Sequence, residues 1–483
     1  NMALKSGTNS FHGNVFEFLR NEKLDANAFF SNRSGVKKRA LRYNIFGGTL
    51  GGPIVRNKHF FFLDYQGTRQ ISSGPATASL ALPDYRAGNL SRFPQFIRDP
   101  QATGNCSSAD RAACFPNNVI PQSRIVNPAA RALFADQRLY PLPNNVGTGA
   151  IGVTNNYISS SSTFLFNDQA DAKIDSRLSD KDNVSGRFTI ARYRSGPKTV
   201  AVPIFLAGGT DAPTTGGVIN WTRVINPTIV NEARIGYNRA FISNVTLDPA
   251  GLLGKDGNQK LGIAGGQVIA GASSIALGDG MSGVGSGASD SDTVDNTFQY
   301  GDNLTIQRNR HTFKMGFQLL RYQQNRFYAG NNGVLGLFRF TGDYTGSAYA
   351  DFLLSLMRSK GRGDLTGKWG HRQSRVGIFF QDDYKLRPNL TLNLGLRWEY
   401  TQPVYEVADR QSNVDLINGR QLVAGKDGNS RALYAAYGRQ FMPRIGLAWT
   451  PPVMNNRLVV RAGYGITSYM EGTGATLRLP LTP

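Results

Sequence analysis

The stretch Leu390–Tyr400 reads LTLNLGLRWEY, with Leu390, Leu392, Leu394, Leu396, Trp398 and Tyr400 on alternate positions and Thr391, Asn393, Gly395, Arg397 and Glu399 between them. An extended strand with this order has one apolar and one polar face. The alternation recurs at 170–178, where Ala172 and Ile174 oppose Asp171, Lys173, Asp175 and Arg177, and again at 184–190. At 312–319 Phe313, Met315, Phe317 and Leu319 oppose Thr312, Lys314, Gly316 and Gln318. At 457–466 Leu458, Val460, Ala462, Tyr464 and Ile466 oppose Arg457, Arg461, Gly463 and Gly465. Such runs are longer than the ~5–6 residues of strands in soluble sheets and match the ~9–11 that a tilted strand needs to cross a bilayer.

Spanning strands are expected near 11–20, 41–51, 58–69, 168–179, 183–194, 216–225, 228–241, 295–307, 311–324, 373–387, 389–400, 443–450 and 457–468. The connections between them alternate. Short ones fall around Pro53, at Asp180–Asp182, Asn226–Pro227, Arg308–Arg310, Pro388 and Pro451–Asn456; long ones follow Arg20, Arg69, Arg194, Phe241, Gln324 and Tyr400. Short turns at one rim and long loops at the other are the habit of an outer-membrane barrel, and a sandwich has no reason to keep it. Trp398 and Tyr400 close a strand on the long-loop side and Tyr384 stands beside the Pro388 turn, as aromatic residues at headgroup level would. Two helical pieces interrupt the β pattern inside long connections, Asn127–Arg138 and Ser347–Met357; the second is amphipathic enough to pack on a rim or partner, and is expected instead to be a small helix that covers a loop.

Composition agrees. The 483 residues include 55 Gly, more than the ~7% average, while charged residues at 18% fall below the usual ~25%. With 28 Phe and 19 Tyr the chain is not disordered. Its longest apolar runs, such as Phe60–Leu63, are far short of the ~20 residues of a membrane-crossing helix. Lys and Arg at 54 against Asp and Glu at 33 give a net charge of +21. That excess suits lipid headgroups, lipopolysaccharide or nucleic acid, but it is spread out, with no basic run beyond Lys37–Arg39, so a nucleic-acid partner is not expected. Cys106 and Cys114 are the only cysteines, too few for a four-ligand zinc site, and a small loop disulfide in an oxidising compartment is expected.

Several segments resemble the barrel of TonB-dependent outer-membrane receptors, in particular the Oar-like group with a carboxypeptidase-regulatory-like domain. Lys5–Asn21 is similar to the junction where the plug ends and the first barrel strand begins, and Gly51–Phe62 to the first periplasmic turn. Phe115–Pro121 with Tyr140–Asn144 resembles the long second segment. Gln381–Lys385 followed by Pro388–Tyr400 resembles the group's most recognisable hairpin, and Pro443–Trp449 with Arg461–Gly465 a later one. The resemblance implies an all-β antiparallel transmembrane barrel, of which about 13 of the 22 strands are expected here. Residues 1–10 would end the plug and form the junction, 11–469 would form the partial barrel, and 470–483 would begin a further extracellular loop. The expected partners are outer-membrane lipid and lipopolysaccharide, the protein's own plug domain, the TonB complex and an unidentified ligand.

Catalytic motifs are missing: there is no HExxH, no phosphate-binding GxxxxGK[ST] and no GxSxG. Neither an enzyme nor a cofactor is expected. His12, His59, His311 and His371 are scattered. Gly278, Gly280 and Gly283 match GxGxxG but precede no helix. Asp290, Asp292 and Asp295 form a weak calcium candidate, and Arg362–Asp364 spells an adhesion tripeptide that chance explains. The polar face carries the stronger candidates: Asp171, Lys173, Asp175, Arg177, Arg187, Arg234, Lys314, Arg397 and Arg461 are expected to face the lumen, because Lys or Arg in lipid costs ~2–4 kcal/mol at the midplane. They are read equally well as a charged wall that grips a plug and guides a polar substrate or as ordinary lumen solvation. The expected function is energy-coupled uptake of a large or scarce polar ligand (an oligosaccharide, peptide or siderophore) in the outer membrane of a Gram-negative bacterium. The alternative is a surface interaction or adhesion protein whose long loops carry the function.

Overall fold

A computed structural model describes residues 4–27, 29–33, 38–286, 290–363, 367–452 and 457–468. Thirteen strands follow one another in chain order across one sheet, each antiparallel to the last. They are β1 (His12–Asn21), β2 (Ala40–Val55), β3 (His59–Ala78), β4 (Tyr157–Arg177), β5 (Asp182–Thr199), β6 (Ala207–Asn226) and β7 (Ile229–Leu247), then β8 (Ser291–Arg308), β9 (His311–Tyr328), β10 (Trp369–Arg387), β11 (Leu390–Thr401), β12 (Tyr437–Trp449) and β13 (Val460–Gly465). A short fourteenth strand, Tyr405–Glu406, pairs with the start of β10. Every strand expected from the alternation is present.

Most strands run further than expected, chiefly toward the long loops, although β2 runs on to Val55 toward its short turn and β13 is shorter than expected. β4 begins at Tyr157 and β6 at Ala207, each well before the expected start. The added residues begin YISSSS in β4 and read AGGTDAPTT in β6, stretches in which the two faces no longer differ. A strand that has left the bilayer has water on both sides, so its ladder continues while the period-two signal fades. Pro53 is also reassigned. It lies within β2 next to a register shift between Pro53 and Val55, where a residue without an N–H is tolerated, and the turn is Arg56–Lys58. Asn57 (φ 64°) and Asn309 (φ 53°) make the left-handed corners of their turns, a conformation asparagine accepts more readily than most residues. The Pro388 turn contains two residues, 388–389. The expected Pro451–Asn456 turn lies mostly outside the described residues, as do Lys37, Asp364 and all of 470–483.

No second layer covers the apolar face of the described strands. Ile174, Phe188, Ile219, Ile235, Phe317, Ile378, Leu396 and Ile445 are between 46% and 57% exposed although they sit in the middle of a fourteen-stranded sheet. A soluble sheet would bury these positions; an array of this kind is stable only against acyl chains. The buried core is elsewhere. It lies in the long connections at one rim, where Leu80, Tyr85, Leu90, Ile97, Leu133, Tyr140, Ile204, Leu261, Leu277, Tyr349 and Phe352 form one cluster.

Candidate functional site: the polar face and the loop cap

Because successive side chains of a strand point to opposite faces, pairing fixes which residues share the polar face. In β3 to β5, Asp64 is opposite Asp171, Lys173 opposite Arg187, and Asp171 opposite Thr189. Thr189 Oγ1 donates to Asp171, whose other oxygen accepts from Gln169 Nε2 at 2.9 Å. Lys173 Nζ lies 3.1 Å from Asp175 and donates to Ser6 Oγ at 2.7 Å. The segment before β1 therefore crosses this face. Gly7 is tight against β2 and β3: a Cβ there would stand 2.3 Å from the Phe61 carbonyl oxygen and 2.7 Å from that of Gly52, so no other residue fits.

The nine sequence-predicted residues all fall on the polar face, in separate groups. Asp171, Lys173, Asp175 and Arg187 form one, with Arg177 at its lower end pairing with Asp180 in the turn at 3.0 Å. Arg234 is exposed between Asn220 and Gly301. Lys314 pairs with Asp383 at 3.2 Å, and Arg397 with Glu399 at 2.6 Å. Arg461 is exposed opposite Ala448. Sequence reasoning missed the acids that answer two of these cations, Asp383 and Glu399; counting parity on both neighbours of each strand would have found them. Near the short turns, Lys58, Asp175, Arg177 and Asn220 line a cavity of about 400 Å³.

At the other rim four long connections, after β3, β5, β7 and β9, fold into one cap. Its two helices are α1 (Pro128–Ala135) and α2 (Ala348–Leu353). Asn127 caps α1 by accepting from Ala129 N, and Ser347 caps α2 by accepting from Ala350 N. Both helices are shorter than expected and are core elements, not covers: all six residues of α2 are buried. The segments bond across the sequence. Asn127 Nδ2 donates to Phe352 O at 2.7 Å, and Asp279 accepts from Ser347 Oγ at 2.6 Å and Tyr349 N at 2.8 Å. Asn156 exchanges both side-chain bonds with the Leu80 backbone. Arg86 donates to the carbonyls of Ala81, Tyr140 and Pro141 with its charge spread over the Tyr140 ring, 4.7 Å away. Burial lowers the Arg86 pKa and pushes the Tyr140 hydroxyl up to about 12 and that of Tyr349 well above its usual value. All three therefore keep their protons near neutrality, as structural groups do.

The connection after β11 is organised separately around Glu406, which is 1% exposed. Burial raises its pKa, but Arg410 at 3.0 Å and the backbone N–H groups of Gly370, Ala408 and Arg410 outweigh that and hold the carboxyl down at about 2. Beside it Tyr400, Tyr405, Tyr434, Gln402 and Arg431 border an open cavity of about 740 Å³, with the Arg431 guanidinium 4.6 Å from the Tyr405 ring centre.

Cys106 and Cys114 are bonded, with Cα atoms 4.9 Å apart, in the first segment of the cap. The calcium candidates do not converge. Asp290 accepts from Thr246, Asp292 from Ser243 and Asp295 from Gln324; Asp292 and Asp295 point to opposite faces of β8. Among the described residues no three metal-binding side chains cluster. Of the histidines, His311 bonds Asp382 at 2.7 Å and stacks on Tyr384 at 4.1 Å, beside the Pro388 turn, and the four remain apart. Gly278 and Gly280 occupy left-handed positions in the cap and precede no helix.

Several solved structures show partial similarity to this chain. The copper transporter OprC is 8% identical, with a TM-score of 0.42 over 96% of this chain and 46% of its own. The outer membrane transporter YddB from Escherichia coli is 9% identical, with a TM-score of 0.41 over 88% of this chain and 38% of its own. The siderophore receptor PirA from Acinetobacter baumannii is 10% identical, with a TM-score of 0.39 over 95% of this chain and 43% of its own. The chain spans less than half the length of each of these three. No curated protein sequence matches it. The family model described as "Outer membrane beta barrel domain" matches residues 3–483. The exposed apolar face, the polar face opposite it and that match agree, and the chain belongs to the outer membrane beta barrel domain family, in the outer membrane of a Gram-negative bacterium.

Proposed function

We propose that this chain is the barrel portion of an energy-coupled TonB-dependent receptor of the Oar-like group, taking up a large or scarce polar ligand of the oligosaccharide, peptide or siderophore class. The observation that carries the reading is the polar face, where Asp171, Lys173, Asp175 and Arg187 lie side by side and Lys173 holds Ser6 of the segment that crosses them. A charged, hydrated wall that also grips a crossing segment is what a plugged passage needs, and the loop cap would supply the outer ligand surface. The charges from Arg234 on β7 to Arg461 on β13 continue that wall. Unpaired outer edges on β1 and β13 among the described residues support further strands completing the wall, since free backbone groups in lipid are costly. A plug and the TonB complex are the partners this reading requires, and lipid with lipopolysaccharide the surroundings.

Uptake of labelled oligosaccharides, peptides and iron chelates by energised cells tests it. Deletion of the gene, or collapse of the proton gradient, is expected to abolish uptake of one class, and Lys173→Met with Arg187→Met to reduce it while surface binding persists. Binding that is indifferent to energy, with no uptake of any class, would favour the adhesion reading instead.

A further inference from the structure

The outward face carries a second ordered feature, a row of arginines at one height. Arg69, Arg192, Arg239 and Arg321 each stand ten residues on from the first residue of an ascending strand, namely His59 of β3, Asp182 of β5, Ile229 of β7 and His311 of β9. Pairing places all four on the apolar side, in line with Leu63, Phe188, Ile235 and Phe317 below them. Ten residues at ~3.3 Å each, on a strand tilted by ~40°, climb ~25 Å, the height of the apolar band of an outer-membrane barrel. The row therefore lies where acyl chains end and headgroups begin, on the long-loop side.

Their partners orient the guanidinium groups without neutralising the set. Arg69 pairs with Asp168 at 2.7 Å between the rings of Phe46 and Phe166, and Arg192 makes two bonds to Asp211 at 2.9 and 2.6 Å. Among the described residues Arg239 is held by the neutral Asn296 at 3.0 Å, and Arg321 by Ser374 at 2.8 Å and the Tyr405 hydroxyl at 3.3 Å. Arg194, two residues above Arg192 on the same face, has the Phe166 ring 6.0 Å away. Five guanidinium groups thus meet two carboxylates. The charge left over faces outward, above a greasy surface, where water-filled lumen and plug cannot reach it.

We infer that this row is a binding surface for lipopolysaccharide, with the phosphates of lipid A seated on Arg194, Arg239 and Arg321 and its acyl chains on the apolar face beneath. Charge complementarity selects an anion, and the fixed height selects one at the foot of the outer leaflet headgroups. The proposal depends on the outer-membrane placement and the outward orientation of the long loops, not on transport, so failed uptake assays would leave it standing.

Binding of the purified full chain to bisphosphorylated lipid A, to dephosphorylated lipid A and to phosphatidylglycerol vesicles tests it. Wild type is expected to prefer the bisphosphorylated form. The triple variant R194Q/R239Q/R321Q should bind it on the order of 100-fold more weakly, about fivefold per arginine at ~1 kcal/mol each, while lysine at the same three positions restores most of the affinity. Should the triple variant not fold, judged by heat-modifiable mobility, R194Q alone is expected to lose about fivefold. Unchanged affinity in the folded variant, equal binding of dephosphorylated lipid A, or a preference for phosphatidylglycerol would each overturn the assignment.

Discussion

Replacing Ile235 by arginine probes the faces directly. Ile235 is 57% exposed and lies six residues above the start of β7, ~15 Å up a strand tilted by ~40°, close to the middle of the apolar band. Its direct cross-strand neighbours are Ile219 and Tyr300, and the nearest carboxylate on that face, Asp302, stands diagonally and already accepts from Asn231 at 2.8 Å. The cost expected at that depth is ~2–4 kcal/mol, roughly a 30- to 1000-fold fall in the folding equilibrium. Two controls give the number meaning. Phe241→Arg, on the same face but twelve residues up and so above the band, is expected to cost ~0–1 kcal/mol from its charge. Asn238→Arg, exposed on the polar face within the band, is expected to cost little. Equilibrium unfolding in urea from phospholipid vesicles measures all three, and the denaturant slope should not change. If Asn238→Arg were as damaging as Ile235→Arg, the assignment of lipid and lumen faces would be wrong.

Three further outcomes are expected. The Cys106–Cys114 bond closes a loop of sequence separation 8, worth about 2.5 kcal/mol in the chain-entropy account, so Cys106→Ser should speed proteolytic nicking between the two positions without dissolving the barrel. A tag inserted between Leu416 and Ile417, which are 91% and 93% exposed in the connection after β11, should be reached by antibody on intact cells, whereas one at Asp180–Lys181 should not; the reverse would invert the orientation. Glu406 has a folded pKa of about 2, below its ordinary value of 4.5, so its contribution is complete above pH 4.5 and is lost as pH falls toward 2. Protection of the connection after β11, read by hydrogen exchange, should decline across that window, and Glu406→Gln should remove the dependence.

The spanning part of the fold was legible because lipid on one side and water on the other impose a strict period, as in Leu390–Tyr400. Legibility ended where that asymmetry ended. The serines of Tyr157–Ser162 continue the β4 ladder in water, and nothing in their pattern marks them as strand. The cap was opaque for a different reason: Leu80, Tyr85, Leu90, Phe93 and Ile97 follow no fixed spacing, since their partners come from Tyr349, Phe352 and Leu277, hundreds of residues away. Parity alone puts the polar candidates on one face, but which of them meet depends on register, and register is set by turns such as Arg56–Lys58, which lies beyond the Pro53 that suggests it. The outward arginines were visible as basic residues in a strand and became a row only when each was measured from its own turn.

A shared interior beneath four surface loops has consequences for how this end of the molecule varies. Antibodies or phages that recognise it will read shapes assembled from distant stretches, so peptides cut from any one loop should compete poorly. Exchange between strains should succeed when the loops after β3, β5, β7 and β9 travel together and fail when one is grafted alone, while the segment after β11, built around Glu406, is free to diversify by itself.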